Sequence, residues 1–212
     1  VVVADLGKLA NIKPADLEHI GYTYNEATDK WFIGDAAADY IFCTDPIDFE
    51  IPGTLKVILY HNKWVAVKDN SCYVPILDAG QYLDNSVEKS ASLNFVMVDC
   101  YAHGDSGEQR ERLFSMLKSD STAVVCLSST NSNSMQSVRR MFIEMMQRSV
   151  KNPVILICDS NHASMEESLI HYSVEAGALL IDGFCDGVCL GHHFGKPAIA
   201  AQAKILNNIA FG

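Results

Sequence analysis

The 212-residue sequence has little that would direct it to a membrane or to nucleic acid. No apolar run approaches the roughly 18 to 20 residues that cross a bilayer, and no basic, apolar leader opens the chain. We therefore expect neither secretion nor a membrane partner. Lysine and arginine form no stripe, and the formal net charge is −10. Because affinity for nucleic acid depends mostly on clustered cations, nucleic acid is not an expected partner either.

The chain also lacks the short motifs that mark common active sites. It has no G-x-G-x-x-G, no glycine-rich P-loop and no G-x-S-x-G elbow. Cys185 and Cys189 are spaced C-x3-C, and His192 and His193 follow closely, but no second Cys or His pair stands at zinc-site spacing. We therefore predict no catalytic residue and no metal site.

Seven cysteines are present, an odd number, and several lie inside apolar runs such as AVVCLSS and VILICDS. This pattern is typical of buried, reduced thiols in a reducing compartment, so we expect a cytoplasmic protein without disulfides. Cys126 and Cys158 in particular are predicted to be buried in separate strands.

Short apolar runs alternate along the chain with helical patterns. Runs of Val, Ile, Leu and Cys are typical of parallel strands that are buried on both faces. Eight such runs predict an α/β fold in one domain, residues 1–212: a TIM-barrel-like (β/α)8 barrel with degenerate or missing helices in its first half. An open doubly wound sheet is the alternative. The predicted strands are Val1–Asp5, Asp39–Cys43, Lys56–Leu59, Asn94–Asp99, Ala123–Ser128, Val154–Asp159, Ala178–Asp182 and Gly187–Leu190.

Helices are expected between the later strands. SGEQRERLFSMLKSD has a Ser N-cap, and SNSMQSVRRMFIEMMQRSVKN places Met135, Val138 and Phe142 on one stripe. SMEESLIHYSVEAG is predicted to end with Gly177 as its cap, and AIAAQAKILNNIAFG supplies a last helix. In the first half, GYTYNEATDKWFIGD is compatible with a hairpin, and HNKWVAVKDNSCYVPILDAG with another excursion from the sheet.

Four of the predicted strands end in an acid: Asp5, Asp99, Asp159 and Asp182. In a barrel these side chains would meet at the C-terminal rim, where clustered carboxylates could bind a cation or share a proton. The other interpretation, which we favour, is that each Asp only turns the chain into the next element. His103 and His162 each follow one of these acids and are candidates for acid–base work.

Two glycine turns stand in the run GALLIDGFCDGVCL, one at Asp182 and Gly183 and the other at Asp186 and Gly187. Glycines after the last strands of a barrel can present backbone N–H groups to a phosphate. The same residues also serve where only glycine fits the backbone. We treat all four as structural residues that are candidates for a ligand rim.

The same run, followed by KILNNIAFG, resembles a segment of the 4-hydroxy-3-methylbut-2-enyl diphosphate synthases, iron–sulfur enzymes of the non-mevalonate isoprenoid pathway. In their three-domain form, a stretch of the type G-[AGS]-L-[LF]-[VI]-D-G-L-G-[DN]-G closes a large inserted domain. Residues 177–187 match that type, with Phe184 and Cys185 in place of the usual Leu and Gly. GYTYNEATDKWFIGDAAADYIF and IPGTLKVIL also resemble the bacterial version of the insert.

The resemblance implies an inserted domain of a cytoplasmic bacterial enzyme, barrel-like and without chemistry of its own. The parent would open the ring of 2-C-methyl-D-erythritol 2,4-cyclodiphosphate reductively. The family's basic phosphate clamp and its C-P-S-C-G-type cluster motif lie outside the insert, and neither stands in this sequence. The resemblance therefore implies a 4Fe-4S cluster in the parent only and no cofactor in this segment. The expected partners are the parent's other two domains, between which the insert would act as a spacer; two-domain relatives achieve the same closure across a homodimer.

Two other functions stay open. One is an autonomous or vestigial TIM-barrel enzyme that uses the strand-end Asp residues on a phosphorylated ligand. A metal or phosphate bound among these acids would favour that function, whereas a rim packed by side chains would favour the spacer. The other is a docking module for ferredoxin or flavodoxin. These electron donors are acidic and a domain of net charge −10 should repel them, so such contacts are not expected here.

Overall fold

The computed structural model describes residues 1–162 and 164–192, and within them eight parallel strands close into a barrel. Each strand pairs with the next along the chain, and β1 pairs with both β10 and β4, which closes the ring. The predicted (β/α)8 fold is confirmed, and the open sheet is wrong. The barrel strands are β1 (Val2–Asp5), β4 (Tyr40–Cys43), β5 (Lys56–Tyr60), β6 (Tyr73–Asp78), β7 (Asn94–Asp99), β8 (Ala123–Ser128), β9 (Val154–Ser160) and β10 (Gly187–His192).

Strand side chains alternate between two environments, as the period of two in a barrel requires. One set fills the interior: Val3, Ile58, Val74, Ile76, Phe95, Cys126, Ile155 and Cys189. The other set points outward and forms two cores beneath the surrounding elements, one for each half of the chain. Cys126 and Cys158 are both buried, as predicted, and lie in separate strands.

Regular helices cover the second half of the barrel. In α3 (Gly107–Ser119), the N-cap Ser106 accepts the backbone N–H of Gln109 at 3.1 Å, as predicted. In α4 (Ser134–Gln147), Val138 and Phe142 are buried together with two methionines, and Met135 packs against the same core. The predicted apolar stripe is therefore confirmed.

The segment predicted as the strand Ala178–Asp182 is helical instead. Helix α5 (Met165–Tyr172) continues through a π-helical turn (Ser173–Gly177) into α6 (Ala178–Ile181). The run ALLI is apolar because it buries Leu179, and a short apolar run suits a buried helix as well as a buried strand. Gly177 lies inside this helix rather than capping it, and the chain turns away at Gly183, whose φ is +74°.

The eighth barrel strand is β6 instead of the predicted strand Ala178–Asp182. The sequence analysis assigned the residues of β6 to an excursion from the sheet. This strand contains Pro75, and proline normally interrupts the backbone ladder of a central strand. In the structure the pairing of β6 with β7 begins at Ile76, one residue beyond Pro75, so the missing N–H falls outside that ladder. The predicted number of strands was right only because two errors compensated.

The first half has degenerate helices, as predicted. A 3-10 helix (Pro14–Ile20) and an antiparallel hairpin, β2 (Tyr22–Asn25) and β3 (Lys30–Ile33), separate β1 from β4. The helices that follow, α1 (His61–Trp64) and α2 (Ala79–Leu83), have four and five residues. The predicted last helix lies outside the described residues. Within residues 1–162 and 164–192, no helix has the length and apolar character to cross a membrane.

Candidate functional site at the mouth of the barrel

The carboxyl ends of the strands surround a cavity of about 280 Å³, at the end of the barrel that we call the mouth. Its walls are mostly apolar and come from the interior core and the strand ends. The apolar lining residues are Val3, Phe42, Ile58, Ile76, Phe95, Met97, Cys126, Ile155, Ile157 and Cys189. Polar side chains line it too: Asp5, Lys8, Thr44, Tyr60 and Asp159.

Two of the predicted strand-end acids, Asp5 and Asp159, converge at this mouth. They end β1 and precede the end of β9, the two strands that flank β10. A β-carbon on Gly191 of β10 would overlap the Asp159 carboxylate and would lie 3.5 Å from a carboxylate oxygen of Asp5. Gly191 therefore leaves the space in which the Asp159 carboxylate lies.

Sequence reasoning missed Gly191, although its place in the register offered a signal. Gly191 pairs directly with Asp159 across the β9–β10 ladder, so a residue without a side chain stands beside a strand-end acid. The buried Tyr172 hydroxyl of α5 donates a hydrogen bond to the Gly191 carbonyl oxygen, which ties this position to the outer layer. Burial also raises the pKa of Tyr172, so the phenol is held as a donor.

Asp99 also lies at the C-terminal end of its strand, but its carboxylate is used to hold a loop. It accepts the backbone N–H of Thr130 at 2.9 Å and the Thr130 hydroxyl at 2.7 Å. Asp78, at the end of the unpredicted strand β6, caps α2 by accepting the Gln81 N–H at 2.8 Å. For these two acids the turn-forming interpretation describes what the side chains do.

The remaining candidates lie toward the opposite end of the barrel, which we call the floor, because they precede β10 or begin it. Asp182 ends α6, not a strand, and pairs with the guanidinium of Arg139. The Asp186 carboxylate accepts the backbone N–H of Val154 at 2.8 Å, which fixes the start of β9. Asp182, Gly183, Asp186 and Gly187 therefore do not contribute to the mouth.

Gly187 is required for packing at this floor. A β-carbon there would overlap the carbonyl oxygen of Val1 and come within 2.7 Å of the Ile155 side chain. A backbone atom cannot swing aside as a side chain can, so the close approach of β1, β9 and β10 depends on this glycine. Gly187 therefore shapes the backbone at the floor of the barrel.

Four arginines in α3, in α4 or directly after α4 pair with acids on the outer layer: Arg110 with Asp105 and Glu144, Arg139 with Asp182, Arg140 with Glu144, and Arg148 with Glu111. Among the described residues that line the mouth cavity, Lys8 is the one cation.

The N-terminus of α4, where backbone N–H groups could hold a phosphate, is also filled from within the chain. The Glu175 carboxylate accepts the backbone N–H of Met135 at 2.7 Å and the hydroxyl of Ser134. A carboxylate in this position satisfies the helix donors and complements the positive end of the helix dipole.

The histidines predicted for acid–base work do not line the mouth cavity. His103 and His162 are both exposed, and the ring of His162 lies 5.4 Å from that of His171. His193, proposed as a neighbour of the C-x3-C pair, lies outside the described residues.

All seven cysteines are unpaired. Cys189 points into the interior core, whereas Cys185 packs against the outer core, so the C-x3-C pair does not share a site. Burial raises the pKa of Cys43, Cys126 and Cys158 to about 12, which keeps them as thiols. Within the described part of the chain no three His, Cys, Asp or Glu residues are grouped to hold a metal, so these residues do not fit an iron–sulfur cluster.

No protein-family model matches the chain. Three curated proteins are similar to parts of it, each named 4-hydroxy-3-methylbut-2-en-1-yl diphosphate synthase (flavodoxin). The Phocaeicola vulgatus protein is 25% identical over 152 residues, 72% of this chain and 23% of that protein. The Parabacteroides distasonis protein is 32% identical over 92 residues, 43% of this chain and 15% of that protein. The Bacteroides thetaiotaomicron protein is 29% identical over 103 residues, 49% of this chain and 16% of that protein.

The chain thus spans less than a quarter of the length of the curated relatives it matches. Among solved structures, Plasmodium falciparum HPPK-DHPS with pterin and p-hydroxybenzoate overlaps 98% of this chain and 45% of its own, with a TM-score of 0.47 and 10% sequence identity.

Proposed function

We propose that this chain is an inserted spacer domain of a 4-hydroxy-3-methylbut-2-enyl diphosphate synthase in the bacterial cytoplasm. In this role it has no catalysis of its own and positions the enzyme's iron–sulfur domain over its substrate barrel. The observation that carries the proposal is the partial similarity to three curated synthases, of whose length the matches cover at most 23%.

The charges at the mouth support a domain without the parent's chemistry. The parent reaction needs a site for a cyclic diphosphate, with a charge of about −2 to −3 that paired cations would have to neutralise. Here Asp5 and Asp159 line the cavity together with Lys8, and Arg110, Arg139 and Arg148 are paired with acids away from the cavity. The same charges disfavour the alternative, a vestigial barrel enzyme that acts on a phosphorylated ligand.

The 4Fe-4S cluster of the proposed parent would be bound by its C-terminal domain and would supply the electrons for ring opening. Cluster ligands are thiolates, whereas burial keeps Cys126 and Cys158 of this chain protonated. This segment would set the distance between the other two domains, so that the cluster is held within bonding reach of the substrate.

The spacer role is tested by deleting residues 1–212 from a parent synthase. The deletion variant should keep its cluster but lose turnover by orders of magnitude, because small misplacements of reacting groups already cost about a hundredfold. Turnover is measured with a chemical reductant, and the cluster is verified by its absorption and electron paramagnetic resonance spectra. The control is the same parent with the intact insert.

The measurement is made on the monomeric fraction, since a dimer could restore closure between chains. Near-normal turnover by a monomeric deletion variant would overturn the spacer role. The isolated segment should not convert the cyclic diphosphate, and conversion by the segment alone would instead favour an autonomous barrel enzyme.

A further inference from the structure

The mouth cavity is large enough for a small organic molecule. Its volume of about 280 Å³ lies close to the lower end of the range for ligand pockets, roughly 300 to 1,000 Å³. A cavity of roughly 150 Å³ lined by Leu, Ile and Phe side chains already holds a benzene molecule. The mouth cavity therefore has room for one ring with a short substituent.

Carbon forms most of the wall of this cavity. Several described lining residues belong to the buried interior core of the barrel: Val3, Ile58, Ile76, Phe95, Cys126, Ile155 and Cys189. Burial raises the pKa of both thiols, that of Cys126 to about 12, so each lines the cavity as an uncharged group. Transfer of an apolar molecule from water to such a wall is favourable.

Aromatic rings form another part of the wall. Phe42 and Tyr60 both line the cavity, and their rings meet edge to face, 5.1 Å apart and at 89°. Phe95 lines it as well, and its ring packs edge to face against Tyr40 at 5.2 Å. Because these rings hold one another in place, the wall is formed before a ligand arrives. A bound ring can make the same kind of contact with it.

The polar groups beside the cavity interact within the chain. Asp5 accepts the backbone N–H of Gly7 at 2.9 Å, and the Thr44 hydroxyl donates to the Gly7 carbonyl oxygen. Asp5, Lys8 and Asp159 each have further interactions with other groups of the chain. A charged ligand would compete with these interactions and would also lose its hydration against an apolar wall. The cavity therefore favours a neutral ligand.

We infer that the mouth cavity binds a neutral, mainly apolar molecule the size of one aromatic ring, held between the aromatic wall and the aliphatic side chains of the interior core. The inference does not rest on the proposed function, because a spacer and an autonomous barrel enzyme would both have this cavity. It requires no unpaired charge at the mouth, since the wall of the described strands supplies the binding surface.

Three probes of similar size and different charge test the inference: toluene, benzoate and benzylammonium. Each is titrated into the full chain near neutral pH, and binding is followed by the NMR shifts of isoleucine methyl groups. Toluene should bind with a Kd on the order of 0.1 to 1 mM. It should shift the methyl signals of Ile58, Ile76 and Ile155, which line the cavity, but not that of Ile20, which is buried in an outer core.

Both charged probes should bind at least about tenfold more weakly than toluene, because a charge of either sign has to be desolvated. Either charged probe binding as tightly as toluene would overturn the inference. The absence of toluene binding up to its solubility limit would do the same, and so would shifts of Ile20 without shifts of the isoleucines that line the cavity.

Two variants then fill the cavity from its wall. Cys126→Leu and Cys189→Leu each replace a thiol by a larger apolar side chain and should weaken toluene binding at least about tenfold. Cys72→Leu is the matched control: Cys72 packs against an outer core and is not among the described lining residues, so the affinity should not change.

Circular dichroism and thermal melting verify that each variant is folded. Unchanged toluene affinity in folded Cys126→Leu and Cys189→Leu variants would show that toluene binds elsewhere. If neither variant folds, the methyl shifts of the unaltered chain still decide between the cavity and another site.

Discussion

The two ends of the barrel use the same pair of residue types, an aspartate and a glycine, for opposite purposes. At the mouth, Gly191 lacks a side chain so that the Asp159 carboxylate has room. At the floor, Asp186 holds the backbone of Val154 and Gly187 lets neighbouring strands approach. An Asp-Gly pair therefore has no fixed chemical meaning in a barrel. What decides its role is whether it lies at the amino end or the carboxyl end of the barrel strands.

Alkaline pH tests the buried cores inside and around the barrel, and it should have the largest effect. Burial raises the pKa of six thiols above the ordinary value of 9.0: Cys43, Cys100, Cys126, Cys158, Cys185 and Cys189. Their protonated form contributes its full stability below about pH 9, and the contribution is lost as the pH rises, because the unfolded chain ionises first. The free energy of unfolding should fall by about 1.4 kcal/mol per pH unit for each thiol.

Urea titrations from about pH 8 to about pH 10 measure this slope. Cys126→Ala is the control, since it should reduce the slope by the share of one thiol while also lowering stability at every pH. A free energy of unfolding that does not change over this range would contradict the burial of these thiols.

A pair of glycine substitutions separates the two ends directly. Gly187→Ala should cost about 2 to 3 kcal/mol, because the added β-carbon meets the backbone of Val1. Gly191→Ala should cost less than about 1 kcal/mol, since the Asp159 carboxylate is the end of a side chain and can turn away. Chemical denaturation measures both, with Gly53→Ala as the control because nothing lies within 4 Å of its β-carbon position. Equal losses for Gly187 and Gly191 would mean that the two glycines have the same role.

Replacing Asp182 should have the smallest effect. Its pair with Arg139 is partly exposed, with side chains 41% and 34% accessible. Asp182→Asn should therefore lower the free energy of unfolding by no more than about 1 kcal/mol, and the loss should shrink in high salt. A loss well above 1 kcal/mol, or a loss that does not shrink in salt, would contradict the partial exposure of this pair.

The closed barrel was predictable because each strand carries its own signal. Continuous runs of Val, Ile and Leu are required wherever both faces of a strand are buried, and most of the barrel strands show them. The errors came where the same local sequence is compatible with more than one secondary structure. Strand β6 contains a proline, which is unusual in a central strand, and the apolar run from Ala178 to Ile181 suits a helix as well as a strand.

The site was predictable only in part, because it depends on contacts between distant residues. Strand-end position was enough to expect Asp5 and Asp159 near each other, since their strands flank β10. Asp99 does not line the mouth cavity, and its carboxylate accepts a hydrogen bond from Thr130 in the next loop instead. No local pattern in the sequence specifies that contact. The role of Gly191 depends on the exact β9–β10 register, which periodicity alone does not fix.

The hydrogen bond from Tyr172 to Gly191 has a mechanical consequence for the mouth. Tyr172 belongs to α5 on the outside of the barrel, while Gly191 bounds the space occupied by the Asp159 carboxylate. A small shift of this helix along its axis would pull on the backbone of β10 and alter the gap between the two acids. The outer helix and the strand beside the Asp159 carboxylate are therefore mechanically coupled through this hydrogen bond.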